Sequence, residues 1–496
     1  MNTTVVAIDL GGSSGRVVLG ELVDEAITFR EIHRFKAYNI YKNNHIYWDI
    51  NKIFKEIIVG LQLAHSSVPD FQSIGIDTWG VDFGLVGKEG LVTLPYSYRD
   101  NYTDQTYSRV QSELSKDYLF ERTGLQTLAI NSLFQLVAQK EFGVLDQAQH
   151  FLLIPDLLNY FLTGIARTEL SIASTTQLIN PYNKQWDQEL IEKLDLPDRI
   201  FPELVAAGTV LGKVKPNIVP ELSLDNVKVI NVAAHDTASA VYSIPELKDH
   251  LFISSGTWSL LGLEVETPMI TQEIMDLEFS NEKSASGKTL LLKNLTGLWL
   301  IEEAIRDYQT IGERYHYSKI TSMIGQHDKN EENICFFDTD APDFATPGNI
   351  VKKIQQFAEK THQNVPQKAT EIFESIYKSL AFKYRHTIDE LNVNTDLRIE
   401  DKQIIIVGGG AKSTILCQYT ANCLNKRVKA GLSEASAIGN CLMQFEANKA
   451  ASRRQLEQLI SKNVVFEHYE PKEVSKWNAD YLIYKKIMED RTNELS

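Results

Sequence analysis

The chain has 496 residues, a formal net charge of −15, and 43% hydrophobic and 23% charged residues. It is too long for one ordinary core, so two domains are expected, and the composition is that of a globular enzyme. The acidic balance excludes nucleic acid as a main partner, because phosphate backbones are held by surplus Lys and Arg, and no apolar run approaches the roughly 18 residues that cross a membrane. The four cysteines, Cys335, Cys417, Cys423 and Cys441, have neither metal-ligand spacing nor the density of a disulfide framework. The N-terminal apolar run is interrupted at Asp9 and has no basic region before it, so it does not read as a signal peptide. A cytoplasmic location is expected.

In chain order, VVAID and RVVLGEL read as two strands joined by a Gly/Ser turn, and ITFREIHRF reads as a third. DINKIFKEIIVGLQLA places Ile50, Ile53, Phe54, Ile57, Ile58 and Leu61 at helical spacing, with Asp49 as its N-cap. SIGIDTWGVDFGLV reads strand, interruption, strand. Mixed strands and helices in this order predict an α/β layer fold. An apolar run then ends at His235-Asp236-Thr237, and SIPELKDH looks like connecting sequence. HLFISSGTWSLLGLEVE repeats the pattern of the N-terminal strand-turn-strand, which suggests two domains of related architecture, 1–243 and 249–496. Further on, Ile372, Phe373, Ile376, Tyr377, Leu380, Tyr384 and Ile388 define one face of a long amphipathic helix. KQIIIVGGGAKSTILCQYTANCL then reads as buried strand, three-glycine turn and helix.

Three small-residue turns, GGSSGR (11–16), SSGT (254–257) and GGGAKS (408–413), could present backbone N–H groups to an oxyanion, since glycine has no Cβ to block close approach. No Gly-x-x-x-x-Gly-Lys-Ser/Thr occurs, and the first turn leads into a strand, so neither the P-loop nor the dinucleotide fingerprint fits. A hairpin turn gripping phosphate remains, with Ser13, Ser14 and Arg16 as added donors. Asp9 beside such a turn has two readings. It holds a hydrated Mg²⁺, which often takes only one or two carboxylates, or it caps the turn through its own backbone. Asp236 also has two. It accepts the proton of an alcohol during phosphoryl transfer, or it or Thr237 starts a helix as N-cap. In IDTWGVDF, Asp77 or Asp82 could grip sugar hydroxyls beside Trp79, although a core role suits Trp79 better. His235 reads as a hydrogen-bond donor to substrate, because no second His stands at ligand spacing.

AIDLGGSSGR, GIDTWGVDF, AHDTASA, SSGTWSL and IVGGGAKS, in this order, resemble the FGGY carbohydrate kinases of the actin/hexokinase-like ATPase superfamily, from about residue 5 to about residue 445. REIHRF, YWDI, LPYSYRD, STTQL and KNLTGLWL are similar to the branch that phosphorylates L-rhamnulose at its 1-hydroxyl with ATP. The resemblance implies two actin/hexokinase-like, ribonuclease H-like α/β domains around a central cleft, with the ketose mainly against the first and ATP mainly against the second. It implies ATP contacts at Gly12, Ser13, Ser14, Gly15, Arg16, Thr257, Asn294 and Gly409. It implies ketose contacts at Gly80, His235, Asp236 and Thr237, with Asp236 the proton acceptor. Glu302 stands at another ATP contact, where the family more usually has Gln, and so lacks the amide donor. Mg²⁺ near Asp9 completes the expected set. L-fuculose, xylulose or glycerol as acceptor, an actin-like ATPase without a sugar, and a non-catalytic sugar sensor are the alternatives. The last 50 residues or so match little and carry no expected function, and the sequence gives no oligomeric state.

Overall fold

The computed structural model describes residues 2–222, 224–326 and 333–495. The elements that position the site begin with β1 (Thr3–Leu10), β2 (Ser14–Val23), β3 (Ala26–Lys36), α1 (Ile50–Ser67), β4 (Ser73–Thr78), β5 (Phe83–Gly87), β6 (Thr209–Lys213), β7 (Lys228–Asn231) and α2 (Asp236–Tyr242). They continue with β8 (His250–Ser255), β9 (Trp258–Val265), β10 (Ser280–Lys283), β11 (Thr289–Thr296), α3 (Trp299–Thr310) and α4 (Ala369–Asn394). The last are β12 (Gln403–Val407), α5 (Thr414–Leu424), β13 (Val428–Ala430), α6 (Ala435–Ala447), β14 (Glu467–Tyr469) and α7 (Val474–Leu495). The chain forms two compact units. One comprises Met1–Lys248, Leu263–Leu292 and Glu434–Val464, and the other Asp249–Gly262, Lys293–Ser433 and Val465–Ser496.

The first unit holds a six-stranded sheet in the order β6-β7-β4-β1-β2-β3. β1 is buried along its whole length, as expected of a central strand covered on both faces, whereas the edge strand β3 is largely open to solvent. Alternation sorts the side chains. Val6, Ile8, Leu10, Val17, Leu19, Ile74 and Ile76 pack on one face with Ile50, Ile53, Ile57 and Leu61 of α1. Asp49 caps α1 as expected, its carboxylate accepting from the Lys52 N–H at 3.0 Å. The opposite face lies under α6, a helix from far down the chain that packs on β1, β2, β4 and α2. Small residues permit that approach. A Cβ on Gly20 would lie 2.7 Å from Cys441 Sγ, and one on Gly439 would lie 1.8 Å from the Ser239 carbonyl oxygen of α2.

The second unit repeats the plan. β9-β8-β12-β13-β14 has the same sequence of pairings, antiparallel, parallel, parallel, antiparallel, as β2-β1-β4-β7-β6. The strand-turn-strand echo read in the sequence therefore marks the leading hairpin of two like sheets. α4 departs from the expected one-sided helix, because Glu371, Glu374, Lys378 and Lys383 are buried along with its apolar face. It is packed by α3, α5 and α7, so its polar positions are also covered and must pair. Lys383 Nζ lies 2.7 Å from Asp338 and 3.1 Å from Asp340. The last segment is core material. Trp477, Tyr481 and Tyr484 of α7 cluster with Phe336, Phe382 and Cys423. No helix among the described residues is long and apolar enough to cross a membrane.

The α2–α6 crossing tolerates no methyl group. Gly439→Ala should destabilise the protein by roughly 1–3 kcal/mol or more, as overpacking against backbone does, read as a lower denaturant midpoint at unchanged slope.

Candidate active site

β1, β4 and β7 run parallel, so their C-terminal ends share one edge of the sheet, where ligands of α/β folds bind. Register places Asp9 beside Asp77 on β4 and beside Arg16 on β2. After β7 the chain passes through 232–235, held where the Thr78 N–H donates to the Ala234 carbonyl at 2.9 Å. α2 then begins at Asp236, with His235 in the N-cap position and no side-chain cap. Asp236 is thus the first helical residue, and its carboxylate accepts from the Thr237 N–H. Its side chain is 30% exposed, against 4% for Asp9 and full burial for Asp77. Of these three carboxylates only Asp236 can meet a ligand directly.

The 234–235 segment is fastened by Glu169, which sequence reading did not single out. One buried oxygen of Glu169 accepts from Ala234 N (3.0 Å), Ser171 N (2.9 Å), Ile172 N (3.2 Å) and the Ser171 hydroxyl. Ser171 Oγ in turn accepts from His235 N at 3.2 Å.

The first small-residue turn is built as a tight bend, its Gly11 N–H donating to the Ser14 carbonyl at 2.9 Å. Ser13 is exposed at its tip, and Gly12 and Ser14 are half-buried. Gly15 is buried, where a Cβ would lie 2.5 Å from the Phe35 ring. Arg99, from the LPYSYRD segment, donates to the Gly12 carbonyl at 2.7 Å, and a Cβ on Gly12 would lie 2.7 Å from Tyr98 Oη. Arg16 is not presented to solvent as a lone donor. Its Nε lies 3.4 Å from Asp9 Oδ2, and its guanidinium also pairs with Glu434.

Asp9 has a contact that local sequence could not show, since its carboxylate accepts from the Ala437 N–H in the first turn of α6. Burial nonetheless pushes its proton affinity up, opposed by the Arg16 charge. Asp77 is pushed up further by burial and by the charge of Asp9. It accepts from Asn440 Nδ2 at 2.6 Å, and its other oxygen is buried without a hydrogen-bond partner. Among the described residues no group of three or more His, Cys, Asp or Glu side chains is placed to hold a metal ion. With both carboxylates already engaged and Asp77 sealed, a divalent ion here would be a hydrated one held by Asp9 at one remove through water.

Gly80 opens a strained bend. A Cβ on it would lie 3.1 Å from Thr175, and the next residue, Val81, sits at φ 65°, an outlier for a β-branched side chain. Thr175 holds it by accepting from Val81 N at 3.1 Å. Such strain collects at ligand sites. Asp82, read as a candidate for sugar hydroxyls, is corrected by its partners. It is fully buried and accepts from Trp48 Nε1 (2.7 Å), Trp79 Nε1, Tyr98 N and Gln135 Nε2 (3.0 Å each). These donors keep its proton affinity, raised by burial, to about 6. Asp77, sealed beneath α6, is corrected likewise. Trp79 is core, 7% exposed, with its ring centroid 4.1 Å from that of Trp48. β4 and β5 lie in different sheets, so the segment is not a hairpin.

His235 is buried between two carboxylates. Its Nδ1 lies 2.9 Å from Glu282 Oε2 on β10, and its Nε2 lies 3.4 Å from Asp236 Oδ1. Although burial opposes it, the carboxylates, Glu282 foremost, raise the ring to about 9. Asp236 is raised by burial and by Asp9, opposed by the His235 charge. Thr237 is buried, and its hydroxyl donates to Asp236 Oδ1 at 3.2 Å.

In the second unit, Thr257 and Gly409 are exposed on neighbouring turns, since a Cβ on Gly408 would lie 2.9 Å from the Ser255 carbonyl oxygen. The 254–257 turn also anchors the start of α3, through Leu298 N to the Gly256 carbonyl at 2.9 Å and Trp299 N to that of Thr257 at 3.2 Å. Asn294 lies half-buried on β11. Glu302, on the first turn of α3, has a side chain 42% exposed and its proton affinity raised by partial burial, with Arg306 3.9 Å away.

A model of the N-terminal domain of the FGGY family of carbohydrate kinases matches residues 4–243, and one of the C-terminal domain matches residues 251–447. A rhamnulokinase of Bacteroides thetaiotaomicron is 36% identical over 490 residues, covering 98% of this chain and 99% of that protein. One of Enterococcus faecalis is 38% identical over 449 residues, covering 90% and 89%. A ligand-bound xylulose kinase from Lactobacillus acidophilus superposes with a TM-score of 0.81 over the whole of both chains at 17% identity. That likeness speaks to fold alone, which is the two-domain actin-like ATPase fold that the resemblance implied.

Removing the Glu169 carboxylate strands buried N–H donors. Glu169→Ala should cost about 3 kcal/mol or more, measured by denaturant unfolding, and should lower kcat in the fraction that remains folded.

Proposed function

Because the chain belongs to the FGGY family of carbohydrate kinases, we propose that it transfers the γ-phosphoryl group of ATP to the 1-hydroxyl of L-rhamnulose, giving the 1-phosphate. The observation that carries this reading is Asp236, the partly exposed member of the three carboxylates Asp9, Asp77 and Asp236. The choice of ketose rests on the rhamnulokinases that align over nearly the full chain.

Phosphoryl transfer asks the protein for alignment, charge stabilisation and a proton acceptor. As the bond from the sugar oxygen to γ-phosphorus forms and the bond to the ADP oxygen breaks, the hydroxyl proton passes to Asp236. Thr237 and His235 orient that carboxylate from two sides. The Gly80–Val81 bend and the 235–237 segment supply the ketose contacts. Gly12, Ser13, Ser14 and Gly15 offer turn amides to the phosphates, and Arg16 acts with them while paired to Asp9. Thr257, Asn294, Glu302 and Gly409 hold the nucleotide. On this reading 1–243 is the acceptor domain with the first phosphate hairpin, and 249–496 the nucleotide domain. Asp9 would hold Mg²⁺ through water. The bound ion would neutralise phosphate charge.

Coupled ADP release across L-rhamnulose, L-fuculose, xylulose and glycerol tests the acceptor. L-rhamnulose should give the highest kcat/KM, and ADP release independent of any sugar would instead mark a plain ATPase. Asp236→Asn should fold normally and lose roughly 10²-fold or more in kcat; near-normal turnover would remove its role. Asp9→Asn should raise the Mg²⁺ concentration for half-activation together with a fall in kcat, and an unchanged metal titration would leave Asp9 as the cap of α6 alone.

A further inference from the structure

We propose that Glu282 is a positioning residue for this reaction: it holds His235 as an imidazolium whose second N–H faces Asp236, and so keeps Asp236 ionised and aimed at the acceptor hydroxyl. The inference rests on the proposed role of Asp236 and extends it to Glu282 of β10, which no sequence motif singles out.

The ring nitrogens of His235 lie at ion-pair distance from two carboxylates, Nδ1 2.9 Å from Glu282 and Nε2 3.4 Å from Asp236, although neither N–H is aligned as a hydrogen bond. A neutral imidazole has one N–H and one lone pair, so one carboxylate would face a lone pair. Only the imidazolium sets a positive charge beside both ionised carboxylates and leaves a lone pair against neither. The His235 and Glu282 side chains are only 9% and 8% exposed, so little water screens the pair. A buried carboxylate without a cation is costly, so the pair is mutually sustaining.

β10 is fixed firmly enough to aim Glu282. Asn281 N donates to the Gly124 carbonyl and Lys283 N to Ser174 Oγ, each at 2.8 Å. Asn281 Nδ2 donates to the carbonyls of Gly124 (3.0 Å) and Met269 (2.9 Å). The charged groups that bear on His235 are Glu282 from β10, Asp236 from α2 and Glu169 from beyond the 234–235 loop. Those that bear on Asp236 are His235 and Asp9, and its charge is felt in turn by Asp77 and Tyr98. The neighbouring carboxylates oppose its ionisation, and the imidazolium supports it.

The test follows the His235 ring by NMR without sugar or nucleotide, its signal identified by its absence in His235→Gln. In the native enzyme it should titrate well above the ordinary value of about 6.5; a midpoint at or below that value overturns the proposal without any Glu282 variant. In Glu282→Gln the midpoint should fall by about one unit or more, and in Glu282→Asp by less. The acid limb of kcat should move to higher pH in Glu282→Gln, so that turnover falls about tenfold below the limb and converges with native turnover above it. A uniform loss across pH with the limb unmoved would show a merely structural role and overturn the proposal. His235→Gln should shift the limb alike, and Glu282→Gln added to it should shift it no further; additive shifts overturn the coupling. The limb is measured with whichever sugar of the panel is phosphorylated. If none is, the kinase reading fails while the ring titration still decides the His235–Glu282 pair.

Discussion

Everything at the sheet edge depends on keeping like charges together where there is little water. Asp9, Asp77 and Asp236 lie at neighbouring positions on one sheet edge; Asp9 raises the proton affinity of both others, and Asp236 raises that of Asp77. A fold left with such repulsion would relax away from it, so each carboxylate is given a separate counterweight. Asp9 has Arg16 and the amide of Ala437, Asp77 has Asn440, and Asp236 has His235 and Thr237. The counterweights come from β2, α6 and α2, which is why these elements crowd the same edge.

This arrangement also separates two uses of the same functional group. Glu169 and Asp82 are fully buried and spend their oxygens on several donors apiece, so they fix backbone and aromatic rings. Asp236 keeps an open side. What sets Asp236 apart from the buried carboxylates is that fewer donors already occupy it, and neither charge nor strand position reveals that.

Much of the frame was legible in the sequence because it is local. The two leading hairpins, α1 with its Asp49 cap, and the strand-turn-helix around Gly408 each follow from periodicity, turn residues and one capping contact. Asp9 and Asp236 were each singled out from local pattern, but that they share one sheet edge was not legible, since more than 200 residues separate them. Glu282 and Glu169 were not legible either, since their meaning lies in partners 47 and 65 residues away. Nor was the all-round burial of α4 from Glu371 to Tyr384, whose pattern shows one apolar face while helices packed on other sides cover its lysines. The role of Asp9 at α6 joins residues more than 400 positions apart, a pairing that no spacing rule reaches.

The placement of α6 has a bearing on biogenesis. The first sheet receives one cover early, from α1, and the other only from residues 435–447. A ribosome-bound nascent chain must therefore expose Val5, Ala7 and Val18 on a bare apolar face while most of the polypeptide is still being translated. Such a face is prone to non-native association until residues 435–447 arrive to cover it.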